Sequence, residues 1–495
     1  MKVTTINSSR SRKVFAGSRL RRLRLGRQLS QAALAGRLGI SPSYLSQLEA
    51  DVRPLPMPLR LRVAAILGVP ASHFADAEDE RMASSLREVT GDPLFAQAPV
   101  SAEEANAAVR ASPAVADRFL TLYKAYLALA EQHQALQHPS GGVARPLSAA
   151  QAEAQGFRSA PSFAYDEVGD WVQSRVNYFD RLDRAAERLA EAAPLGGAAS
   201  LREDLARLLR DRHGISIVED SGLLSSGTVW RLQRSSKTLL LAEEASAESR
   251  LFWIAHVIGS IEQRQEIQRE IRKATFSGPE ARALARVALA NYFAGALIMP
   301  YGRFLAEARA LRYDIERLQN RFGTSFEQVC HRLSTLQRPE AAGIPFFLVK
   351  TDIAGNVLKR SSATRFKFSR FGGPCPLWNV YRAFIQPGHL IVQVASTPDQ
   401  VSYLNIARTV GRRGGAYLSR PRNVAIVIGC ELSYAVQTVY ATGLDLLDPS
   451  IADPIGPGCR ACERIDCRHR AVPQAGSNLD TGTGERGVVP YRMRN

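Results

Sequence analysis

Three cysteines near the C-terminal end of this 495-residue chain have a spacing that indicates metal chemistry. Cys459, Cys462 and Cys467 follow a Gly-Pro-Gly segment at 456–458, so their thiols lie on one turn and can converge on a single centre. The chain has six cysteines, too few for a disulfide framework at this length. In a reducing cytosol, three of them within nine residues are more typical of a metal site than of three free thiols.

Three thiolates leave one position of a four-coordinate site to be filled. Cys430 follows a predicted strand over 424–429 and is placed to approach the turn, while His469 is a nearby competitor and Cys375 a more distant one. Four thiolates suit either a structural zinc ion or an iron–sulfur cluster. Arginines at four positions between 460 and 470 would lower the pKa values of the thiols and offset the charge of an anionic centre.

An apolar helix is predicted around a single histidine, His256. Together with 290–300 it resembles the ImmA/IrrE zinc peptidase fold, in which a His-Glu-x-x-His motif supplies two zinc ligands and a general base. Here Val257 replaces the base and Ser260 the second histidine, and Val287 stands where a downstream acidic ligand is expected. One histidine cannot hold a catalytic zinc ion, so we expect no enzymatic activity and interpret His256 as a satisfied core residue. A fold kept without its metal can still enclose a ligand pocket.

Near the N-terminus the sequence predicts two short helices joined by a tight turn. Ser30 is placed to cap a helix over 31–38, and Gly39 suits the left-handed conformation that ends it. Ser41 is placed to cap the second helix, with Pro42 at its first position. In a helix-turn-helix the second helix enters the major groove of DNA. A helical hairpin without a ligand is the alternative, and the strongly basic N-terminal segment favours DNA.

Leu45 and Leu48 of the second helix are predicted to point back at the first, which leaves the opposite face free to read DNA. Gln47 is the best candidate for a base contact, because its amide can form a bidentate pair with adenine. The segment 20–49 resembles the Cro/C1-type (Xre-like) DNA-binding domains. The expected DNA contacts are Arg21, Arg24, Gln31, Ser41, Ser43, Tyr44, Ser46 and Gln47.

The formal net charge of +17 is unevenly distributed, since residues 1–30 contain nine basic residues and no acidic one. We favour nucleic acid as the partner of this block over a membrane surface or a solvated tail, because it leads directly into the helix-turn-helix pattern. Hydrophobic residues make up 45% and charged residues 22%, as in a globular protein. The sequence has no apolar run of about 20 residues and no secretory h-region, so it predicts a cytoplasmic protein without membrane contact.

Several folded modules must position these residues, since single cores rarely grow beyond about 250 residues. The sequence predicts a multidomain protein with an all-α helix-turn-helix domain, a helical linker, an α+β degenerate zinc-peptidase-like domain and a β-rich C-terminal domain with the cysteine metal site. The predicted boundaries are 15–75 for the DNA-binding domain, 80–137 for a helical connector that could dimerise, 138–162 for a linker, 163–342 for the ligand-sensing domain, 343–473 for the C-terminal domain and 474–495 for a disordered tail.

Within the two large domains, apolar periodicity and turn residues predict the individual elements. The predicted helices cover 163–193, 201–213, 247–274, 279–298, 302–320 and 325–333. The predicted strands cover 215–218, 228–232, 239–241, 346–351, 357–359, 390–394 and 423–428.

The helix-turn-helix and the altered peptidase core, together with the segments at 288–294, 373–379, 428–431 and 459–467, resemble one family. It is the family of short-chain fatty acyl-responsive transcriptional regulators, which includes regulators of propionate, methylcitrate and glyoxylate-shunt genes. The resemblance implies a regulator that binds a double-stranded DNA operator as a homodimer or higher oligomer. It also implies that the central region senses a short-chain acyl-CoA.

The same resemblance implies a cofactor and ligand contacts. In some members a [4Fe–4S] cluster is held by a cysteine pattern that this chain matches at Cys430, Cys459, Cys462 and Cys467. Structural zinc stays the alternative at this site. Tyr292, Tyr301 and Arg303 follow the altered motif and are the expected acyl-CoA contacts. Two other functions stay open, a redox or iron sensor that works through the cysteine centre and a zinc peptidase with unrecognised ligands.

Overall fold

A computed structural model gives the arrangement of the chain. The structure describes residues 16–50, 52–69, 77–90, 100–137, 161–193, 200–364, 374–412, 422–460, 462–474, 478–481 and 491–494, with 92, 95, 366, 484, 488 and 489. Most of the predicted linker over 138–162 lies outside the described residues. The chain forms two compact units, one ending at Tyr123 and the other beginning at Lys124.

The described part of the first unit is helical. Its helices are α1 (Gly17–Gly26), α2 (Gln31–Leu38), α3 (Pro42–Glu49), α4 (Met57–Leu67), α5 (Ala77–Thr90), α6 (Ala102–Ala111) and the beginning of α7 (Pro113–Gln137). Leu34, Leu45 and Val63 are fully buried in a core that joins the helices before Gly68. Val109 belongs to a second, smaller core formed by α5, α6 and α7. The helix-turn-helix therefore has its own hydrophobic core.

The central part of the second unit is built around one buried helix, α13. The helices are α8 (Pro161–Ser174), α9 (Asp180–Ala192), α10 (Leu201–His213), α11 (Ala247–Glu262), α12 (Arg264–Arg272), α13 (Pro279–Ile298), α14 (Tyr301–Ala310), α15 (Ile315–Phe322) and α16 (Phe326–Ser334). Helices α8, α9, α11, α12 and α16 all contact α13, whose last turns are apolar and buried. A small sheet of β1 (Ser216–Asp220), β3 (Thr238–Ala242) and β2 (Trp230–Gln233), in that order, completes this α+β region.

The C-terminal region of the second unit is a six-stranded sheet in the order β5-β4-β8-β7-β6-β9. Its elements are β4 (Phe347–Thr351), β5 (Val357–Ser362), α17 (Asn379–Ile385), β6 (Ile391–Ser396), β7 (Ser402–Arg412), β8 (Arg422–Glu431), α18 (Leu432–Ala435) and β9 (Asp453–Pro454). Among the described strands of this sheet, β6 and β9 are parallel and the other neighbouring pairs are antiparallel. Ile426 and Ile428 on one face of β8 join the core of the central helices, while Ala425 and Val427 on the other face pack in the core that contains α17.

Three of the predicted helices are each divided in two. The helix predicted over 163–193 divides into α8 and α9, because Val176 and Asn177 between them take left-handed φ values of 54° and 58°. The prediction over 302–320 divides into α14 and α15, and the prediction over 247–274 divides into α11 and α12. None of the three breaks contains Gly or Pro, so no punctuating residue marks them in the sequence.

Two features of the C-terminal region differ from the sequence predictions. The 11-residue strand β7 was not predicted, because Asn405 and Thr409 interrupt its apolar pattern; both side chains are buried in the sheet. The range 474–495, predicted to be disordered, contains an antiparallel pair of short strands, β10 (Asn478–Asp480) and β11 (Arg492–Arg494). The prediction of disorder is therefore wrong for these residues.

Among the helices that the structure describes, none is by itself long and apolar enough to cross a lipid bilayer. The bent pair α13 and α14, with an angle of 63° between them, passes the test of length and composition as a pair. Leu297, Ile298 and Tyr301 at their junction are buried within the protein, as expected for core helices.

Candidate functional sites

The helix-turn-helix forms through the caps that its sequence predicts. The Ser30 hydroxyl accepts a hydrogen bond of 3.1 Å from the backbone N–H of Ala33 and so caps α2. Gly39 takes a left-handed φ of 65°, which ends α2 and turns the chain. The Ser41 hydroxyl accepts a hydrogen bond of 3.2 Å from the Tyr44 N–H and starts α3. Local residues thus determine the angle at which α3 is presented.

Most of the predicted DNA-reading residues lie on the open face of α3. Ser43, Ser46 and Gln47 are exposed, whereas Tyr44 is half-buried. The guanidinium of Arg53 lies 5.7 Å from the centre of the Tyr44 ring, and this arginine is exposed. Arg53 was not among the predicted contacts, because it follows α3 in a Pro-rich segment outside the motif. It adds a cation beside the reading face.

Arg24 is not available to DNA as predicted, although the neighbouring Arg21 is exposed. Arg24 is 6% exposed, and its Nε and Nη2 donate to the two carboxylate oxygens of Glu49 at 2.6 and 2.9 Å. This hydrogen bond raises the pKa of Arg24. The Gln31 amide donates to the same carboxylate at 2.8 Å, so Glu49 ties α1 and α2 to the end of α3. The interpretation of Arg24 as a DNA contact is wrong, because a fixed internal ion pair uses its charge.

A cavity of about 710 Å³ opens beside α11, at the position of the altered peptidase motif. Its apolar wall includes Ile215, Leu232, Ile261, Ile267, Val287 and Ala290. His256 and Ser260, which occupy the positions of the two zinc-binding histidines of the motif, both line the cavity. A volume of this size is ample for a small-molecule ligand. The peptidase-like fold has kept a pocket where the metal chemistry is missing.

Four cations surround this cavity, and no carboxylate is among its lining residues. Arg234, Lys237, Arg264 and Arg286 are exposed at its mouth. Within the described residues, none of the four forms an ion pair. Unpaired cations around an apolar wall attract an anionic ligand that has an apolar end. The members of this cluster are scattered between 234 and 286 and only the fold brings them together, so their spacing in the sequence does not predict it.

His256 is buried, but it is not the satisfied core residue that the sequence suggested. It is 4% exposed and packs against the rings of Trp230 and Trp253, with centroid distances of 5.3 and 5.5 Å. Its Nδ1 forms no hydrogen bond with any described residue. Burial lowers the pKa of His256, and a side-chain contact with Asn291, too poor in geometry to count as a hydrogen bond, opposes this effect in part. A neutral imidazole with an unused nitrogen therefore lies in the cavity wall.

Tyr292, one of the predicted ligand contacts, belongs to the core. Its hydroxyl donates to Asp183 at 2.5 Å and accepts from the N–H of Phe179 at 3.2 Å. Arg332 donates to both carboxylate oxygens of Asp183 at 3.0 and 2.7 Å, and its Nε donates to the carbonyl of Met299. Burial raises the pKa of Tyr292, and the negative charge of Asp183 raises it further. This network leaves Tyr292 no group with which to bind a ligand.

Tyr301 and Arg303, the other predicted contacts, lie away from the basic cavity. The Tyr301 hydroxyl donates to the carbonyl of Ala341 at 2.9 Å and accepts from the N–H of Arg338 at 2.8 Å, so its polar group is also used internally. Arg303 lines a second, smaller cavity of about 290 Å³, and its guanidinium lies 5.5 Å from the centre of the Phe322 ring. The three predicted ligand contacts therefore do not form one site.

Cys459, Cys462 and Cys467 lie on a turn, here called the cysteine turn, that follows β9, the short strand at the edge of the large sheet. Cys375 lies close enough to Cys459 and Cys462 for their negative charges to raise its pKa, although burial is the main cause of the increase. Cys462 is affected in the same way by burial and by Cys467. The structure therefore gathers Cys375, the distant competitor in the sequence analysis, with the three cysteines of the turn.

Cys430 is not part of this group. It points from β8 into the core shared with the central helices, on the same face as Ile426 and Ile428, whereas Cys375 packs in the core on the other face of the sheet. Burial and the neighbouring Glu431 raise the pKa of Cys430 to about 12. The prediction of Cys430 as the fourth ligand is wrong, because the sheet separates it from the turn. Cys330 is fully buried, as predicted for a core residue.

Backbone groups around the turn suit sulfur ligands. The N–H of Ala471 donates to the sulfur of Cys459 at 3.4 Å, and backbone N–H groups also donate to the sulfurs of Cys375 and Cys462. A Cβ atom added at Gly456 would lie 2.6 Å from the sulfur of Cys462, so only glycine leaves room for this thiol. The side chain of Arg470 donates to the carbonyls of Cys459 and Cys462 at 2.7 and 3.1 Å and fixes the turn.

The donor set fits a thiolate-bound centre, because N–H groups directed at sulfur stabilise its anionic form. In the part of the chain that the structure describes, however, no three His, Cys, Asp or Glu side chains already have the spacing of a metal site. His469, the local competitor, is exposed on the turn. The thiols are thus collected on one side of the sheet, and they would have to draw together around a metal.

Three family models match three separate ranges of the chain. A helix-turn-helix domain matches residues 16–77, an IrrE N-terminal-like domain matches 210–334, and the C-terminal domain of a short-chain fatty acyl coenzyme A regulator matches 335–491. The first two agree with the caps of α2 and α3 and with the altered peptidase fold around α11.

Curated relatives match over almost the whole length. A propionyl-CoA carboxylase regulator of Cereibacter sphaeroides is 40% identical, covering 98% of this chain and 99% of the relative. The transcriptional regulators PrpR and RamB of Mycobacterium tuberculosis are also 40% identical, covering 97% of this chain and 96% and 99% of theirs. A solved structure of a Mycobacterium tuberculosis transcriptional regulator has 44% identity and a TM-score of 0.64, covering 66% of this chain and 99% of the other.

Proposed function

Because the chain belongs to the short-chain fatty acyl coenzyme A regulator family of helix-turn-helix transcriptional regulators, we propose that it couples operator binding to the occupancy of its basic cavity by a short-chain acyl-CoA. It acts in the cytoplasm and binds DNA as a dimer, with the exposed face of α3 in the major groove of each half-site. It has no peptidase activity, since Val257 and Ser260 replace the base and the second zinc ligand.

The cavity beside α11 is the observation that carries this proposal. An acyl-CoA has a pyrophosphate and a ribose phosphate at one end and an apolar acyl group at the other. Arg264, Arg286 and their two neighbours at the mouth match the phosphates, and the apolar wall matches the pantetheine arm and the acyl group. The smaller cavity at Arg303 suits such a ligand less well, because Glu187 and Glu191 also line it.

Binding to the operator is the readout that tests the coupling. The operator is first selected by the full-length protein from a random-sequence DNA library. Propionyl-CoA is then expected to change the affinity of the wild-type protein for this DNA, because a ligand shifts the population of the conformation that it binds more tightly. The double variant R264A/R286A should need far more propionyl-CoA for the same change.

The matched control is R303A, which removes an arginine from the smaller cavity on the same domain. Its response to propionyl-CoA should equal that of the wild type. An unaltered response of R264A/R286A, or a lost response in R303A alone, would place the ligand elsewhere. Operator affinity that ignores propionyl-CoA in the wild type would contradict the coupling itself.

For the cysteine turn we propose that Cys375, Cys459, Cys462 and Cys467 hold a [4Fe–4S] cluster, with structural zinc as the alternative. The proximity of Cys375 to the turn and the N–H groups directed at the sulfurs support this ligand set. The cluster would supply one-electron redox chemistry, and the chain's own part is to bind it and to exclude water from it.

The visible absorption spectrum and the iron content of protein purified without oxygen test this assignment. A broad absorption band near the violet is expected in the wild type and in C430S, and C375S should lose it. Loss of the band in C430S but not in C375S would overturn the ligand set. A colourless protein with one zinc ion would support the structural alternative. If operator affinity followed the cluster but ignored acyl-CoA, redox or iron sensing would become the main function.

A further inference from the structure

Among the described residues that line the cavity, His256 alone has a buried nitrogen, Nδ1, without a hydrogen bond of normal geometry. The side chain of Asn291 is close enough to raise the pKa of His256 as a hydrogen-bond partner, but its Oδ1 also lacks a bond of normal distance and angle. A buried polar atom with at most a poor partner costs folding free energy, so its presence in a cavity wall calls for an explanation.

The same domain shows that the fold can satisfy its polar groups completely. Arg332, Asp183 and Tyr292 lie at the core side of α13 and bond one another. Among these three, no buried nitrogen or oxygen lacks a partner. Asn177 and Trp171 of the same domain also keep buried polar atoms without a hydrogen bond, but neither lines the cavity, so His256 is distinguished by where its unused nitrogen lies.

The cavity is charged at its exposed mouth, and its lining becomes less polar towards its buried wall. Arg264 and Arg286 are exposed at the mouth, whereas His256 is 4% exposed in the wall. The Trp230 and Trp253 rings stack 6.1 Å apart and both contact the His256 ring, so they hold the imidazole in place. An acyl-CoA whose phosphates lie at the mouth places its thioester and its short acyl group at the inner end.

We propose that His256 is the specificity residue for the acyl end of the ligand, donating a hydrogen bond to the thioester carbonyl oxygen. This inference rests on the proposed function and deepens it. A neutral imidazole has one N–H donor and a carbonyl oxygen can only accept, so the two groups are complementary. Free coenzyme A lacks this oxygen, and the ligand is thus read by its thioester and not only by its phosphates.

The test compares two ligands that differ in this one oxygen. Propionyl-CoA has the thioester carbonyl, and S-propyl-CoA has a methylene in its place with the same phosphates and alkyl length. Calorimetric titration of the full-length wild type should give a roughly 3- to 10-fold tighter affinity for propionyl-CoA, the usual effect of one hydrogen bond. In H256F the ratio should fall to about one while the affinity for S-propyl-CoA is kept.

The matched control is H331Q, which alters a second described histidine whose pKa burial lowers and which does not line the cavity. It should keep the wild-type ratio. H256M replaces H256F if the phenylalanine variant does not fold, as judged by its thermal unfolding. A ratio kept in the His256 variant, or an equal loss of affinity for both ligands, would overturn the role of His256 and leave the acyl-CoA function standing.

Ligand binding by the wild type distinguishes a failure of the His256 role from a failure of the proposed acyl-CoA function. Equal affinity for both ligands in the wild type would also overturn the role of His256 alone. If the wild type bound neither compound, the proposed function and this inference would both be wrong.

Discussion

Two polar clusters of the central domain lie on opposite sides of the same helix, α13, and differ in whether the protein itself completes them. Arg332, Asp183 and Tyr292 are buried and bond one another through charge-assisted hydrogen bonds. The cluster around Arg286 and His256 opens to a cavity and keeps cations without ion pairs among the described residues and an unused nitrogen of His256. The first cluster therefore stabilises the fold, whereas the second is shaped for a ligand that supplies the missing partners.

The comparison also explains why Tyr292, Tyr301 and Arg303, which follow the altered motif, do not form the predicted acyl-CoA site. Tyr292 and Tyr301 have the chemistry of ligand contacts, but internal groups occupy their hydroxyls. Residue type and proximity to a motif do not distinguish a completed network from an open one. An unmade hydrogen bond in the wall of a cavity does distinguish them.

The largest expected effect is loss of stability when the completed cluster is broken. D183N should lower the free energy of unfolding by about 3–5 kcal/mol, because it leaves the Arg332 guanidinium buried without a counter-charge. Urea unfolding monitored by circular dichroism measures this loss. D180N is the control, since Asp180 forms an exposed pair with Arg184 on the same helix and should matter by less than about 1 kcal/mol. Similar losses in both variants would abolish the distinction.

The open cluster should behave in the opposite way. R264A/R286A should change the free energy of unfolding by about 0.5 kcal/mol or less, because both side chains are exposed and have no ion pair among the described residues. Its affinity for propionyl-CoA should fall by roughly tenfold for each arginine, the effect of one charge-assisted contact. Urea unfolding and calorimetry on the same preparation measure both quantities. A large loss of stability would show that these cations support the fold.

In the helix-turn-helix of the first unit, side chains that are bonded within the protein also contrast with side chains that are not. Arg24 and Gln31 are bound by Glu49, whereas the side chain of Gln47 bonds no described residue. Q47A should weaken specific operator binding by about 1–3 kcal/mol and leave nonspecific binding largely unchanged. R21A should instead weaken binding to all DNA sequences. It should also reduce the slope of log affinity against log salt concentration by about one. Fluorescence anisotropy at several salt concentrations measures both, and a uniform loss in Q47A would contradict base reading.

Local sequence signals predicted the parts of the fold that depend on neighbouring residues. The Ser30 and Ser41 caps and the Gly39 turn act within four residues, and helix α13 has the predicted bounds because Pro279 and the apolar run up to Ile298 define it. The breaks inside the three long helices depend on tertiary packing, and no Gly or Pro announces them.

The sites were harder to predict, because they depend on which face of an element is presented. Cys430 and Cys375 are both buried cysteines in or near the large sheet, and the alternation of side chains along β8 sends Cys430 to the wrong face. The cations of the cavity come from β2–β3, α12 and α13, and their sequence spacing carries no motif. Contacts between distant segments decide both sites.

The smallest expected effect distinguishes the two histidines by pH. Burial lowers the pKa values of both His256 and His331 in the folded state, so below the unfolded value of about 6.5 the unfolded chain binds more protons than the folded one. Each histidine therefore makes the folded state less stable as the pH falls from about 6.5, by at most about 1.4 kcal/mol per pH unit. H331Q should lose less stability than the wild type between pH 7.5 and 5.5 in urea unfolding.

His256 should differ from His331 because its protonation is also coupled to the ligand. Both forms of the ring can donate to the thioester carbonyl, but the imidazolium is the stronger donor and is attracted by the phosphates of the ligand, so propionyl-CoA should bind more tightly as the pH falls through the lowered pKa of His256. The affinity of H256F should vary less with pH than that of the wild type, and H331Q should vary as the wild type does. If H256F and the wild type had the same pH profile, the ring at 256 would belong to the completed core, and the contrast between the two sides of α13 would not extend to its histidine.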